Sequence, residues 1–184
     1  QVWLKPRDHD AVRLRDPCIL DLRMGPLHEA VRDGRSDAIN KILNDDPDLD
    51  LDGLDADGLA PLHHAVLASR PSIGSYLIEL GAEVDVRDPA GNTPLHLAAG
   101  SNAKLTAAML LRAGAQRQPV NKAGDTPLHV AASFDAAEVA WLIINNESYY
   151  DNDGVLSREA KTPQGKTAMQ LAVECGRSRV VQVL

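Results

Sequence analysis

The residues that could do chemistry in this chain are six histidines, two cysteines and a high density of aspartates. Asp48-Leu49-Asp50-Leu51-Asp52-Gly53 has the alternating carboxylates and the glycine that open a calcium-binding loop. Such a loop closes on a bidentate Glu at its twelfth position, and here that position is Leu59. The acidic run from Asp45 to Asp57 is therefore read as turn-forming side chains around a lengthened loop. Asp151-Asn152-Asp153-Gly154 has a similar look, but its acidic spacing fails at either end. His63 and His64 are adjacent, and adjacent positions on a helix do not face one another. The chain has no Gly-rich phosphate loop, no His-Glu-x-x-His and no Cys-x-x-Cys. No catalytic residue, no cofactor and no metal ligand is expected from these patterns. Cys175 is expected to be a small buried hydrophobe.

Four of the histidines share one context. Thr93-Pro94-Leu95-His96-Leu97-Ala98-Ala99 recurs as Thr126-Pro127-Leu128-His129-Val130-Ala131-Ala132. Weaker copies stand at Ala60-Pro61-Leu62-His63 and Gly25-Pro26-Leu27-His28, and a degenerate one at Thr167-Ala168-Met169-Gln170. Pro61, Pro94 and Pro127 are spaced by 33 residues, Pro26 and Pro61 by 35, and Pro127 and Ala168 by 41. A fixed period of this size marks a stacked repeat protein, in which each unit buries its apolar face on its neighbours. The elements that position the box follow from its residues. Thr is expected to cap a helix with its hydroxyl. Pro is pre-set for the first helical position. A later Gly supplies a left-handed turn after a second helix.

The box, the Ala pair, the apolar second helix (Leu110-Leu111, Leu77-Ile78) and the following Gly114-Ala115 and Gly81-Ala82 resemble the ankyrin repeat family. The resemblance spans residues 25–184. It implies an all-α solenoid of about five helix-turn-helix repeats joined by short β-turn fingers. Repeats are expected near 25–56, 57–89, 90–122, 123–155 and 164–184, with an insertion within 148–160 that holds Tyr149 and Tyr150. The resemblance also implies that His28, His63, His96 and His129 brace their turns by local hydrogen bonds. The first repeat is expected to carry helices over Pro26–Asp33 and Asp37–Leu43, the second broken by Asp46-Pro47. Pro71 is expected at the start of a helix. Residues 1–24 fall outside the pattern and are read as an N-terminal cap or the tail of a preceding domain. The chain as a whole is read as a fragment of a longer protein.

Composition narrows the partners. Acidic residues number 26 against 19 basic ones, for a net charge of −7, which argues against nucleic acid. No apolar run approaches the roughly 18 residues that a membrane helix needs. Aromatics are only 3% of the chain, so the core must be built from Leu, Ile, Val and Ala. Cys18 and Cys175 would be far apart in a solenoid, which argues against a disulfide between them and fits a cytoplasmic compartment (the host cytosol for a secreted bacterial effector). A monomer is expected, because neither a long edge strand nor a heptad seam is present.

The functional expectation is a non-catalytic scaffold or interaction module that binds another protein. The alternative is the substrate-recruiting ankyrin domain of a larger enzyme, such as a bacterial effector, whose catalytic domain lies outside this chain. In the family, the inner helix exposes the residue after the box histidine and those three and four places further on. Carried over, this puts His64, Leu67, Leu97, Val130 and Phe134 in one apolar strip on the concave face. Asp57, Arg87, Asp88, Asn92, Lys122 and Asp125 would rim it from the fingers. Phe134 is the only Phe of the chain and the expected anchor. Trp141, expected on the outward side of a second helix, is its rival.

Overall fold

The computed structural model describes residues 25–145 and 158–184. The expected cap or tail over 1–24, with Cys18, and most of the insertion, with Tyr149, Tyr150 and Asp151–Gly154, lie outside the described residues. Among those described there are ten helices and no strand. They run as α1 Pro26–Asp33, α2 Ser36–Asp45, α3 Pro61–Leu67, α4 Pro71–Glu79, α5 Pro94–Gly100, α6 Lys104–Arg112, α7 Pro127–Ser133, α8 Ala137–Asn145, α9 Ala168–Glu174 and α10 Ser178–Val181. The odd-numbered helices form an inner row in which each touches the next. The even-numbered helices pack behind them, with α4 on α6 and α6 on α8. At the first repeat the outer row is joined by the Tyr76 hydroxyl, which donates to Asn40 Oδ1.

Helices of four to ten residues are marginal by themselves in water, so packing must supply their stability. Their ends are nonetheless encoded locally. Pro opens α1, α3, α4, α5 and α7. The residue ahead of each box proline is extended, with ψ near 160°. Each inner helix ends in a left-handed residue: Gly34, Ser69, Asn102, Asp135 and Gly176. At Gly34, Ser69, Asn102 and Gly176 the backbone N–H returns to the helix, as Ser69 does to Val66 and Asn102 to Ala99. The second helix of the first repeat extends beyond the expected Asp37–Leu43, to Ser36–Asp45, before Asp46-Pro47 stops it.

The core is aliphatic throughout. Leu62, Leu95, Leu110, Leu128 and Ile143 are fully buried, as are the pairs Ala98-Ala99 and Ala131-Ala132 that let inner helices approach closely. A second cluster, with Leu27, Val31, Ile39, Ala65, Ile73 and Leu77, ties the first repeat to the second. Helix α3 serves both clusters, with Leu62 and Val66 in one and Ala65 in the other.

The fingers are closed by one repeated set of hydrogen bonds. Asp55, Asp88, Asn121 and Thr162 each donate their N–H to the carbonyl four residues on, and each accepts from the glycine three residues on. Their side chains accept from the same turn, as Asp88 Oδ1 does from Asn92 N–H at 2.8 Å. Successive fingers also interlock: a Cβ on Gly58 would stand 2.3 Å from Pro89 Cγ, and one on Gly124 2.3 Å from Pro163 Cγ. The acidic run is used in the same way. Asp50 Oδ1 accepts from Asp52 N–H, and Asp52 Oδ1 from Glu83 N–H in the next repeat. Among the described residues, no three acidic, histidine or cysteine side chains converge in a way that could hold a metal ion.

One expectation fails at the C-terminal end. Cys175 is exposed rather than buried. It caps α9 at the place where Phe134 caps α7, a position that the inner row turns outward.

Candidate functional site

The histidines set the geometry on which the exposed face of the inner helices is built. His96 Nδ1 accepts from Thr93 N–H at 3.1 Å, and its Nε2 lies 3.0 Å from the Asp125 carbonyl of the next finger. A backbone N–H can only donate and a carbonyl can only accept, so the ring is neutral with its proton on Nε2. His129 repeats this with Thr126 N–H and the carbonyls of Ala160 and Lys166. His63 makes the local bond, from Ala60 N–H, and among the described residues its buried Nε2 has no partner within hydrogen-bond distance, although the carbonyls of Asn92 and Val86 still act on the ring. His28 departs from the expected local brace: its Nδ1 has no partner among the described residues, and its Nε2 lies 2.9 Å from the Gly53 carbonyl instead. Burial holds His28, His63, His96 and His129 below the ordinary histidine value of 6.5. The threonines differ from expectation. At Thr93 and Thr126 the hydroxyl makes no bond to a helix N–H. It lies 3.0 Å and 2.8 Å from the histidine Nδ1 instead, because the ring already fills the capping space. At Thr167, where Gln170 replaces the histidine, the hydroxyl does accept from Gln170 N–H.

Leu67, Leu97, Val130 and Phe134 line one open groove of about 510 Å³ along the inner helices. Phe134 is 64% exposed and Leu67 50%. Leu97 and Val130 are half-buried and form the floor. From the fingers, Asn92, Asn121 and Asp125 make one wall. The hydroxyls that border it are turned away: Ser101 Oγ donates to the Leu97 carbonyl and Ser133 Oγ to that of His129. The surface offered is therefore apolar where the helices make it. Gly100 and Asn121 line the groove but were not among the expected site residues. Their inner-helix and finger registers were readable, but smallness and turn-forming chemistry gave no reason to single them out.

His64 does not belong to that strip. It is 9% exposed, and its Nε2 stands 2.8 Å from Asp55 Oδ2. It also meets His28 edge-on, with ring centroids 5.5 Å apart. The Asp55 side chain is wholly inaccessible. Burial alone would raise its carboxyl, but bonds from Leu59 N–H, His64 and Asp57 N–H outweigh that and hold it below its ordinary 3.8. An imidazole at this register reaches the finger carboxylate, where the aliphatic Leu97 and Val130 have nothing to reach for.

The expected rim divides as well. Asn92 and Asp125 line the groove, whereas Asp57, Arg87, Asp88 and Lys122 do not. Arg87 Nη1 donates to the carbonyls of Gly91 and Val120, at 3.0 Å and 2.7 Å. Lys122 Nζ donates to that of Pro89 at 2.6 Å. Asp88 holds Asn92 by both carboxylate oxygens. Arg87 and Lys122 thus join finger to finger, while Asp88 closes its own turn.

The outer row has hollows of its own. Trp141, 52% exposed, lines one of about 250 Å³ with Ala108, Arg112 and Asn145, between α6 and α8. Another of about 420 Å³ lies between α4 and α6 beside Leu105. Neither receives finger side chains.

A family model described as ankyrin repeats (3 copies) matches the chain in overlapping windows, over residues 8–88, 27–120, 80–155 and 109–184. No curated protein matches it. Among the described residues no helix is long and apolar enough to cross a membrane.

Proposed function

The chain belongs to the ankyrin repeat family, and on that premise we propose that it is a non-catalytic module whose partner protein docks in the concave groove. Ankyrin repeat domains are generally protein-interaction modules and typically do not catalyse reactions. The observation that carries the reading is the groove itself. Three successive inner helices present Leu67, Leu97, Val130 and Phe134 along one surface, with finger side chains beside them. An apolar patch with a polar rim is the usual form of an interaction site. Phe134 is the anchor, and the protein acts as a monomer, which light scattering at micromolar concentration would check.

The experiment is affinity capture with this chain as bait, followed by binding measurements with Phe134→Ala and Trp141→Ala. Loss of an anchor typically costs about 2 kcal/mol or more, and loss of a peripheral contact much less. Phe134→Ala should weaken the captured partner with little change in melting temperature, since the ring is mostly exposed. Unchanged affinity in Phe134→Ala, with loss in Trp141→Ala, would move the site to the outer row.

A further inference from the structure

We propose that the groove takes a segment carrying a bulky apolar side chain with a lysine or arginine beside it. This rests on the reading of the groove as the docking surface and goes on to name the chemistry of what docks there.

The first observation is Gly100. A glycine within a helix is disfavoured by about 1 kcal/mol relative to alanine, and nothing in the fold asks for one here. Its φ is not left-handed, and a Cβ built on it would meet only Val130 Cγ1, at an ordinary 3.7 Å. The matching last residues of α3 and α7 are Leu67 and Ser133. The missing side chain leaves a dip in the floor, walled by Leu67, Leu97, Val130 and Phe134. A large apolar side chain entering that dip would cover all four.

The second observation is Asp125. Its backbone is held by Asn121 Oδ1 and by His96, but among the described residues its carboxylate has no hydrogen bond and no ion pair. Among the described residues no lysine or arginine lines the groove. The finger cations Arg87 and Lys122 are engaged with carbonyls. The nearby imidazoles of His96 and His129 are kept neutral by burial. The amide of Asn92 is bound to Asp88, and that of Asn121 to Asn92. Asp125 is thus an uncompensated negative charge at the edge of an apolar surface, on a chain of net charge −7. Complementary charge at such an edge sets which partner is accepted.

The test is an immobilised peptide array that crosses a central Phe, Leu or Ala with a neighbouring Lys, Gln or Glu. It is probed with the full chain, with Gly100→Leu and with Asp125→Lys. The unaltered chain should retain peptides that combine Phe or Leu with Lys. Gly100→Leu copies the residue that α3 carries at this position, so it should keep the melting temperature while retention falls about ten-fold or more. Asp125→Lys should shift retention from the Lys to the Glu peptides. If Gly100→Leu abolishes retention but Lys, Gln and Glu peptides are held alike, the charge inference is overturned and the docking surface stands. Retention that Gly100→Leu leaves untouched overturns both. An array that retains no peptide overturns the proposal as well.

Discussion

His96 makes two bonds that a substitution can separate. Its Nδ1 accepts the Thr93 N–H within the repeat, and its Nε2–H reaches the Asp125 carbonyl of the next finger. The chain itself contains a residue that does only the first. Gln170 Oε1 accepts the Thr167 N–H at 2.9 Å. His96→Gln should therefore keep the local brace and lose the bond between repeats. A net hydrogen bond contributes about 1 kcal/mol, and the Asp125 carbonyl keeps the Asn121 N–H, so the loss should be about 0.5–1.5 kcal/mol. His96→Ala also orphans the buried Thr93 N–H and leaves a cavity where a fully packed ring stood. It should lose about 3–5 kcal/mol. His63 provides the control. Among the described residues its Nε2 has no partner within hydrogen-bond distance, so His63→Gln should cost less than His96→Gln. Urea unfolding followed by circular dichroism, at a pH above 6.5 where these rings are neutral, gives the midpoints. Because stacked repeats can depart from two-state behaviour, midpoints are compared only between variants of equal slope. If His63→Gln and His96→Gln lose the same amount, the bond to the next finger contributes nothing and the reasoning fails.

The four buried box histidines have folded pKa values below 6.5, so as pH falls the unfolded chain takes up protons first. Stability should be fully present above 6.5 and decline as pH falls through that value towards the lowered folded ones; a urea midpoint that holds or rises through this window would contradict it. Asp55, held below 3.8, should add a further loss at still lower pH. Gly124→Ala and Gly165→Ala both place a side chain at positive φ, but only the first meets a neighbour, Pro163 Cγ at 2.3 Å. Gly124→Ala should lower the melting temperature more, and equal shifts would show that the finger contact yields freely. Hydrogen exchange should be faster in α9 and α10 than in α5 and α6, because α10 has only four residues and one buried side chain, Val180. Protection of Ala172 equal to that of Ala99 would refute that gradient.

The sequence by itself determined where the box helices start and the register that they share. Pro94, Thr93 and His96 act within a single helical turn, and a repeat of 33 residues carries one register from unit to unit. With the exposed register that the ankyrin resemblance implies, Leu67, Leu97, Val130 and Phe134 could be placed on one surface before any coordinates. It also identified the acidic run as turn chemistry, since Asp50 and Asp55 bond backbone only two to four residues away. What the tertiary structure decided depends on groups from different units. Arg87 and Lys122 look like rim charges in sequence, but they end on the carbonyls of Val120 and Pro89, in neighbouring fingers. His64 looks like one more residue of the strip until the Asp55 carboxylate and the His28 ring enclose it. Cys175 looks like a core residue, yet its capping position turns it to solvent. Gly100 carries no message until Leu67, Val130 and Phe134 stand around it. Bonds within a turn are set by residue type and spacing. Charge compensation and shape between units are set by how the fingers and inner helices stack, and no single repeat contains that information.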